Sequence, residues 1–233
     1  MPSSQHYHIS KIMDLIISVK PFSVLDVGSG FGKYGVLCRE YLELWDGRYE
    51  YEFLRRIDGV EVFENYITPL HKYIYNNIYT ENIINLVNNL DYSYDLVLLI
   101  DVLEHFSKEE GISLLNNLLK KNKGILVSTP KKPSPQQDVF GNAFEIHKSL
   151  WKKEELSTLG KHYFIRDNIS HIVYITREQY SLNNLISRLK ILKRSRNSSL
   201  KFTKNSIVKR LKKKLSSIPL IVRVYRKFKR IES

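Results

Sequence analysis

Residues 24–32 read Val24-Leu25-Asp26-Val27-Gly28-Ser29-Gly30-Phe31-Gly32. The run from Phe22 to Val27 is apolar and β-branched, and it ends in three alternate glycines. A helical pattern follows from Lys33 to Leu44. The stretch predicts a strand, a tight turn and a helix N-terminus, where an α/β sheet offers backbone N–H groups to a ligand. Glycine suits such a turn because it adopts positive φ and has no Cβ to hold a ligand away from the backbone.

The frame is Gly28-x-Gly30-x-Gly32. A Gly-x-Gly-x-x-Gly dinucleotide pattern also occurs, as Gly30-Phe31-Gly32-Lys33-Tyr34-Gly35. It begins two residues late relative to the strand end. Counted from Gly28, the third glycine of that pattern falls on Lys33.

Strand and helix patterns alternate on both sides of this turn. A helix is predicted over 7–19, with Ile9, Ile12, Met13 and Ile16 on one face. Residues 45–55 form an insertion. A second strand is expected over Ile57–Val62, a helix over Tyr66–Asn76 and a third strand over Ile78–Ile83. Tyr94 to Ile100 is an apolar run suited to a central parallel strand buried on both faces. Ser107 and Glu110 have capping-box spacing ahead of a helix over 108–121. A fifth strand, 124–128, leads into a loop with Pro130, Pro133 and Pro135. A helix over 151–158 precedes two closely spaced strands near 162–167 and 170–176. The alternation implies a doubly wound, Rossmann-like parallel sheet, and the last two strands imply an antiparallel pair at one edge.

The segment 24–32 resembles the first motif of class I S-adenosylmethionine (SAM) dependent methyltransferases. Val97-Leu98-Leu99-Ile100-Asp101-Val102-Leu103-Glu104-His105-Phe106 resembles the fourth-strand motif of their small-molecule branch, which includes ubiquinone-biosynthesis O-methyltransferases. The likeness runs in order over about residues 20–176. It implies a seven-stranded sheet, SAM as cofactor, and a small metabolite or saccharide as methyl acceptor, most readily at oxygen.

Asp26, Gly28, Ser29, Gly30 and Gly32 then make up the SAM loop. Glu61 ends the second strand, where a carboxylate accepts from both ribose hydroxyls; this position serves SAM and NAD alike. The resemblance places an adenine contact at Asn82, with the neighbouring Glu81 as the alternative. It sets Asp101, at the end of the fourth strand, near the methionine moiety or the acceptor. The segment Phe144 to Trp151 resembles an acceptor-site segment of sugar and small-metabolite methyltransferases. Glu145 and His147 lie on one side of it if it is extended. SAM already carries an activated methyl, so an enzyme must align the acceptor and, for a hydroxyl, remove its proton. A histidine suits that task, with Glu145 orienting it. The catalytic candidates are therefore His147, Glu145 and Asp101. The competing reading has His147 capping a helix that starts near Ser149. His105 reads more readily as a structural residue at a helix start. The seven histidines show no close repeat of ligand spacing, so no metal centre is read from them, and a carboxylate-held Mg²⁺, as in some catechol methyltransferases, stays open.

The chain has 233 residues, enough for one domain and an appendage. The division expected is a methyltransferase domain over 1–180 and a basic amphipathic helical tail over 181–233. No apolar run approaches the ~20 residues that cross a bilayer. Residues 1–20 lack the pattern of a signal peptide. The single cysteine, Cys38, excludes an internal disulfide and a multi-cysteine metal site. These features point to the cytoplasm, with membrane association through the tail as a further possibility. The net charge of +13 is unevenly spread. Residues 181–233 hold 17 Lys/Arg and one acid, Glu232, and the remainder is mildly acidic. Two or three basic helices are expected in the tail. Lys and Arg alternate with apolar residues over 204–231, a pattern that suits peripheral membrane contact, RNA, or packing on the domain. Two alternatives stay open: an RNA methyltransferase that uses the tail, and a non-catalytic SAM-binding module at a membrane.

Overall fold

The computed structural model describes residues 4–49, 52–133, 136–138 and 140–216, with side chains through residue 198. The described residues up to 188 form one compact unit and those from 189 onward a second. The first unit is built on a seven-stranded sheet in the order β3-β2-β1-β4-β5-β7-β6. The strands are β1 (Ser23–Val27), β2 (Arg56–Val60), β3 (Ile78–Tyr79), β4 (Leu96–Ile100), β5 (Gly124–Pro130), β6 (Lys161–Ile165) and β7 (Ser170–Thr176). The neighbouring pairs among β1 to β5 are parallel, and β7 is antiparallel to both β5 and β6. β1 and β4 are buried along their whole length, as their apolar runs require of strands covered on both faces.

Helices α1 (Ile9–Val19), α2 (Lys33–Leu42), α3 (Pro69–Ile74), α4 (Ile83–Asn89), α5 (Lys108–Lys121) and α6 (Lys153–Ser157) surround the sheet. One core cluster joins Leu25, Val27, Leu86, Val97, Leu99, Leu115, Leu118, Ile125 and Trp151. The predicted capping box of α5 forms: Ser107 Oγ accepts from the Glu110 N–H, and the Glu110 carboxylate accepts from the Ser107 N–H. Cys38 is buried.

Two local expectations need correction, in the third strand and in the helix before it. The third strand is only Ile78–Tyr79, because Asn82 turns the chain into α4 by accepting from the Ile84 N–H at 3.0 Å. The helix expected over 66–76 is the shorter α3, which starts at Pro69 behind the cap residue Thr68. The tail is one helix, α7 (Gln179–Ser216), through its described residues; no glycine or proline interrupts that span. The amphipathic pattern at 204–231 falls on side chains outside the described residues.

The 45–55 insertion is anchored by one buried carboxylate. Glu43 accepts from the N–H groups of Leu54 at 3.1 Å and Arg55 at 2.5 Å. It also pairs with the Arg48 and Arg55 guanidinium groups at 3.4 Å. A buried carboxylate persists when it is both paired and hydrogen-bonded. No described helix is long and apolar enough to cross a membrane.

Candidate active site

After β1 the chain builds β2 and β3 on one side, then returns to place β4 on the other. β1 and β4 are therefore the switch point, where open α/β sheets leave a crevice at the strand ends. A cavity opens there. It is lined by Gly28, Ser29 and Gly30 after β1, Glu61 after β2, Asn82 after β3, and Asp101 and His105 after β4.

The glycine turn is held from three directions. Gly28 and Ser29 donate to the Val60 carbonyl at 2.9 and 3.0 Å. The Gly30 N–H donates to Glu61 Oε2 at 2.8 Å, and the Phe63 N–H donates to Oε1 at 3.0 Å. His71 closes the third side. The Thr68 N–H donates to its Nδ1 at 3.1 Å, so Nε2 carries the proton and donates to the Gly30 carbonyl at 2.9 Å. Gly28 has φ +67°, and a Cβ there would lie 2.5 Å from Val102 Cγ2. The loops after β1 and β4 approach that closely only over a glycine. Burial raises the Glu61 carboxyl pKa, opposed by the N–H groups of Phe63 and Gly30.

The sequence candidates do not all face the cavity. Asp26 is buried behind the loop, where Oδ2 accepts from the Tyr75 hydroxyl at 2.6 Å. Desolvation pushes its carboxyl up to about 7, against the Tyr75 and Gly35 hydrogen bonds. Gly32 is the N-terminal cap of α2, at φ +83°, and shapes the turn from outside the lining. Asn82 lines the cavity while its side chain caps α4. Asp101 also lines it, in the left-handed region at φ 55°. That conformation is costly for a non-glycine residue. It is held by the Asp101 N–H to the Ser128 carbonyl at 2.9 Å and by the Ser128 hydroxyl to Oδ1 at 2.7 Å.

The segment after the proline loop docks on the short 3-10 turn Leu103–His105 through its backbone. The N–H groups of Lys148 and Ser149 donate to the Glu104 carbonyl at 2.8 and 3.1 Å. Trp151 Nε1 donates to the Leu103 carbonyl at 3.2 Å. His105 Nδ1 faces the Ile146 carbonyl at 3.3 Å. This docking sets the His147 ring edge-on to His105, with centroids 4.8 Å apart. His105 forms cavity wall, and His147 is not among the lining residues. Glu145 lines the cavity, and its Oε2 accepts from Gln136 Nε2 at 2.8 Å. The helix that His147 was to cap at Ser149 starts instead at Lys153. Burial and the neighbouring His147 pull His105 down to about 4. Burial and the Asp101 charge push Glu104 up to about 8.

Sequence reasoning missed His71, a grip on the loop, and treated His105 as structural. It also missed Lys33, whose ammonium donates to the Ser4 carbonyl at 2.7 Å and ties that segment to the cavity edge. No local pattern marks these contacts, because each joins residues far apart in the chain.

No family model matches the chain, and no curated protein matches its sequence. Solved structures do match in fold. An O-methyltransferase family protein from Burkholderia thailandensis has 13% identity and a TM-score of 0.55, over 74% of this chain and 55% of that one. This chain thus spans just over half of that protein. The N-terminal domain of EvdMO1, solved in the presence of SAH and D-fucose, has 14% identity and a TM-score of 0.51, over 76% of this chain and 85% of that one. The DhpI–SAH complex has 13% identity and a TM-score of 0.51, over 72% and 84%. The fold is of the class I SAM-dependent methyltransferase type.

Proposed function

We propose that this chain transfers the methyl group of SAM to an oxygen of a small metabolite or saccharide. The observation that carries the reading is the grip on Gly30, whose N–H is held by Glu61 and whose carbonyl is held by His71. A backbone turn fixed from both sides at a switch-point crevice offers a preset cradle for a cofactor. Two of the fold neighbours were solved with SAH, and one of these also with D-fucose.

We assign Gly28, Ser29 and Gly30 to the SAM loop, with Asp26 and Gly32 holding its shape. Glu61 takes the ribose hydroxyls; each of its oxygens accepts one backbone N–H and keeps a lone pair for a second donor. Asn82 takes the adenine side. Asp101, Glu145 and the His105–His147 pair take the acceptor end, where the hydroxyl is aligned with the sulfonium and loses its proton. The basic residues over 204–231 are assigned to peripheral contact with an anionic membrane, to be tested by co-sedimentation with vesicles containing phosphatidylserine.

Calorimetric titration of the full chain with SAH, and with NAD in parallel, tests the cofactor. Binding of SAH alone is expected, and binding of NAD alone would overturn the reading. His147→Ala is expected to keep SAH affinity and to lose turnover on the true acceptor.

A further inference from the structure

We infer that Glu104, His105 and His147 hold a divalent transition-metal ion at the acceptor end of the crevice. The inference rests on the methyl-transfer reading only for the role of the ion. The site itself stands on geometry. One ligand atom from each of the three residues lies within 4.8 Å of the others. Ligand atoms bound at about 2.0–2.2 Å from one ion sit roughly 3–3.5 Å apart, so a small rotamer adjustment closes the set. Docking of Lys148 and Ser149 on the Glu104 carbonyl already fixes the backbone of both ligand segments.

A second observation points the same way. Glu104 is 2% exposed, and its Oε2 has no hydrogen-bond partner of good geometry, although the likewise buried Thr129 hydroxyl lies close to the carboxyl. A buried carboxyl oxygen left unpaired is costly, and a cation would satisfy it. His105 is prepared as well. The Ile146 carbonyl can only accept, so His105 Nδ1 carries the proton; a metal at Nε2 would compete with the Asp101 backbone, which also lies against the ring. A ring N–H given to a backbone carbonyl is the usual support of a metal-bound imidazole.

Two imidazoles and one carboxylate suit Mn²⁺, Fe²⁺, Co²⁺ or Zn²⁺ better than Mg²⁺ or Ca²⁺, which prefer all-oxygen sets. Three protein ligands would leave a position open, and His105, as cavity wall, is the ligand that borders the acceptor end. The acceptor hydroxyl binds there and its pKa falls. Its proton leaves to solvent, and an oxygen lone pair forms the O–CH₃ bond. The S–CH₃ bonding pair returns to sulfur, so the sulfonium becomes a neutral thioether, and the metal keeps its oxidation state.

The test uses the full chain stripped with EDTA, then titrated with Co²⁺ by visible absorption and with Zn²⁺ by calorimetry. One ion per chain is expected, with d–d bands of a nitrogen–oxygen site. His147→Ala and Glu104→Gln should each weaken binding by about tenfold or more. His147 is partly exposed, so its truncation is compatible with folding even if the Glu104 variant fails to fold. SAH affinity, measured on the same metal-free samples, should stay within about twofold of wild type in the folded variants. No ion bound by the wild type, or equal binding by His147→Ala, would overturn the site. A wild type that binds SAH but takes up no added ion overturns only this inference. Failure of the wild type to bind SAH overturns the methyl-transfer reading while the metal titration still decides the site.

Discussion

His71 Nε2 lies 2.9 Å from the carbonyl oxygen of Gly30, so an imidazole on α3 fixes the turn that follows β1. The ring is fully buried, and its other nitrogen is taken by Thr68 at the start of the same helix. The conformation of the glycine loop therefore depends on a helix that is not its neighbour in sequence.

Replacing that imidazole leaves the Gly30 carbonyl without its partner. For this part-buried acceptor the cost lies toward the lower end of about 1–3 kcal/mol. His71→Ala is expected to lower SAH affinity about tenfold and to lower the melting temperature, read by calorimetry and thermal denaturation. Unchanged affinity would mean that the loop holds its shape without α3. Gly30→Val is expected to abolish SAH binding, because φ at Gly30 is +56° and a β-branched residue there is strained.

Asp26 predicts a specific pH dependence. Its folded pKa, about 7, lies above the ordinary 3.8, so the folded chain binds this proton more tightly than the unfolded chain. Stability from this group is full below about pH 4 and declines as pH rises toward 7. Asp26→Asn keeps an acceptor for the Tyr75 hydroxyl and removes the titration. Urea midpoints measured from pH 4 to 8 should fall less steeply in the variant, and parallel curves would contradict the assignment.

Asp167 has the opposite sign. Its carboxylate, 2.5 Å from the Lys11 ammonium, accepts from the N–H groups of Ser170 and Ile169, and the turn into β7 is thereby tied to α1. These partners outweigh burial and hold its pKa well below the usual range. The stabilisation is full above the unfolded value, about 4, and is lost as pH falls through the folded value. The stability gap between wild type and Asp167→Asn should be widest near neutrality and should narrow in acid. A gap that is constant with pH would mean that packing, not charge, is responsible.

Gly111 packs its α-carbon against the Trp151 ring, leaving no room for a Cβ. Gly111→Val forces Trp151 away from the Leu103 carbonyl that its indole N–H reaches. Overpacking of this kind costs about 1–3 kcal/mol. The expected result is a lower urea midpoint, together with weaker Co²⁺ binding because the segment carrying His147 shifts. Wild-type values for both would show that the indole moves freely.

Much of the fold is legible in the chain because its signals are local. The glycines after Val27, the apolar run before Asp101, the cap at Ser107 and the strand–helix alternation each follow from the conformational preferences of neighbouring residues. The same holds for Glu61, which sits at the end of β2 wherever that strand pairs with β1. The short β3 and the start of α4 were not legible, because the side chain of Asn82 decides between continuing a strand and capping a helix. Asp26 carries a motif's position but not the direction of its side chain, which the packing of Tyr75 sets.

What tertiary structure alone decided is which distant residues meet. His71 reaches Gly30, Trp151 reaches Leu103, and His147 is set against His105 by backbone hydrogen bonds to Glu104. The placement of β7 between β5 and β6 belongs to the same category. Local sequence specifies dihedral preference, periodicity and capping, which extend over a few residues. Contacts across the sheet depend on strand order and on how loops close over the strand ends, and no short stretch of sequence encodes either.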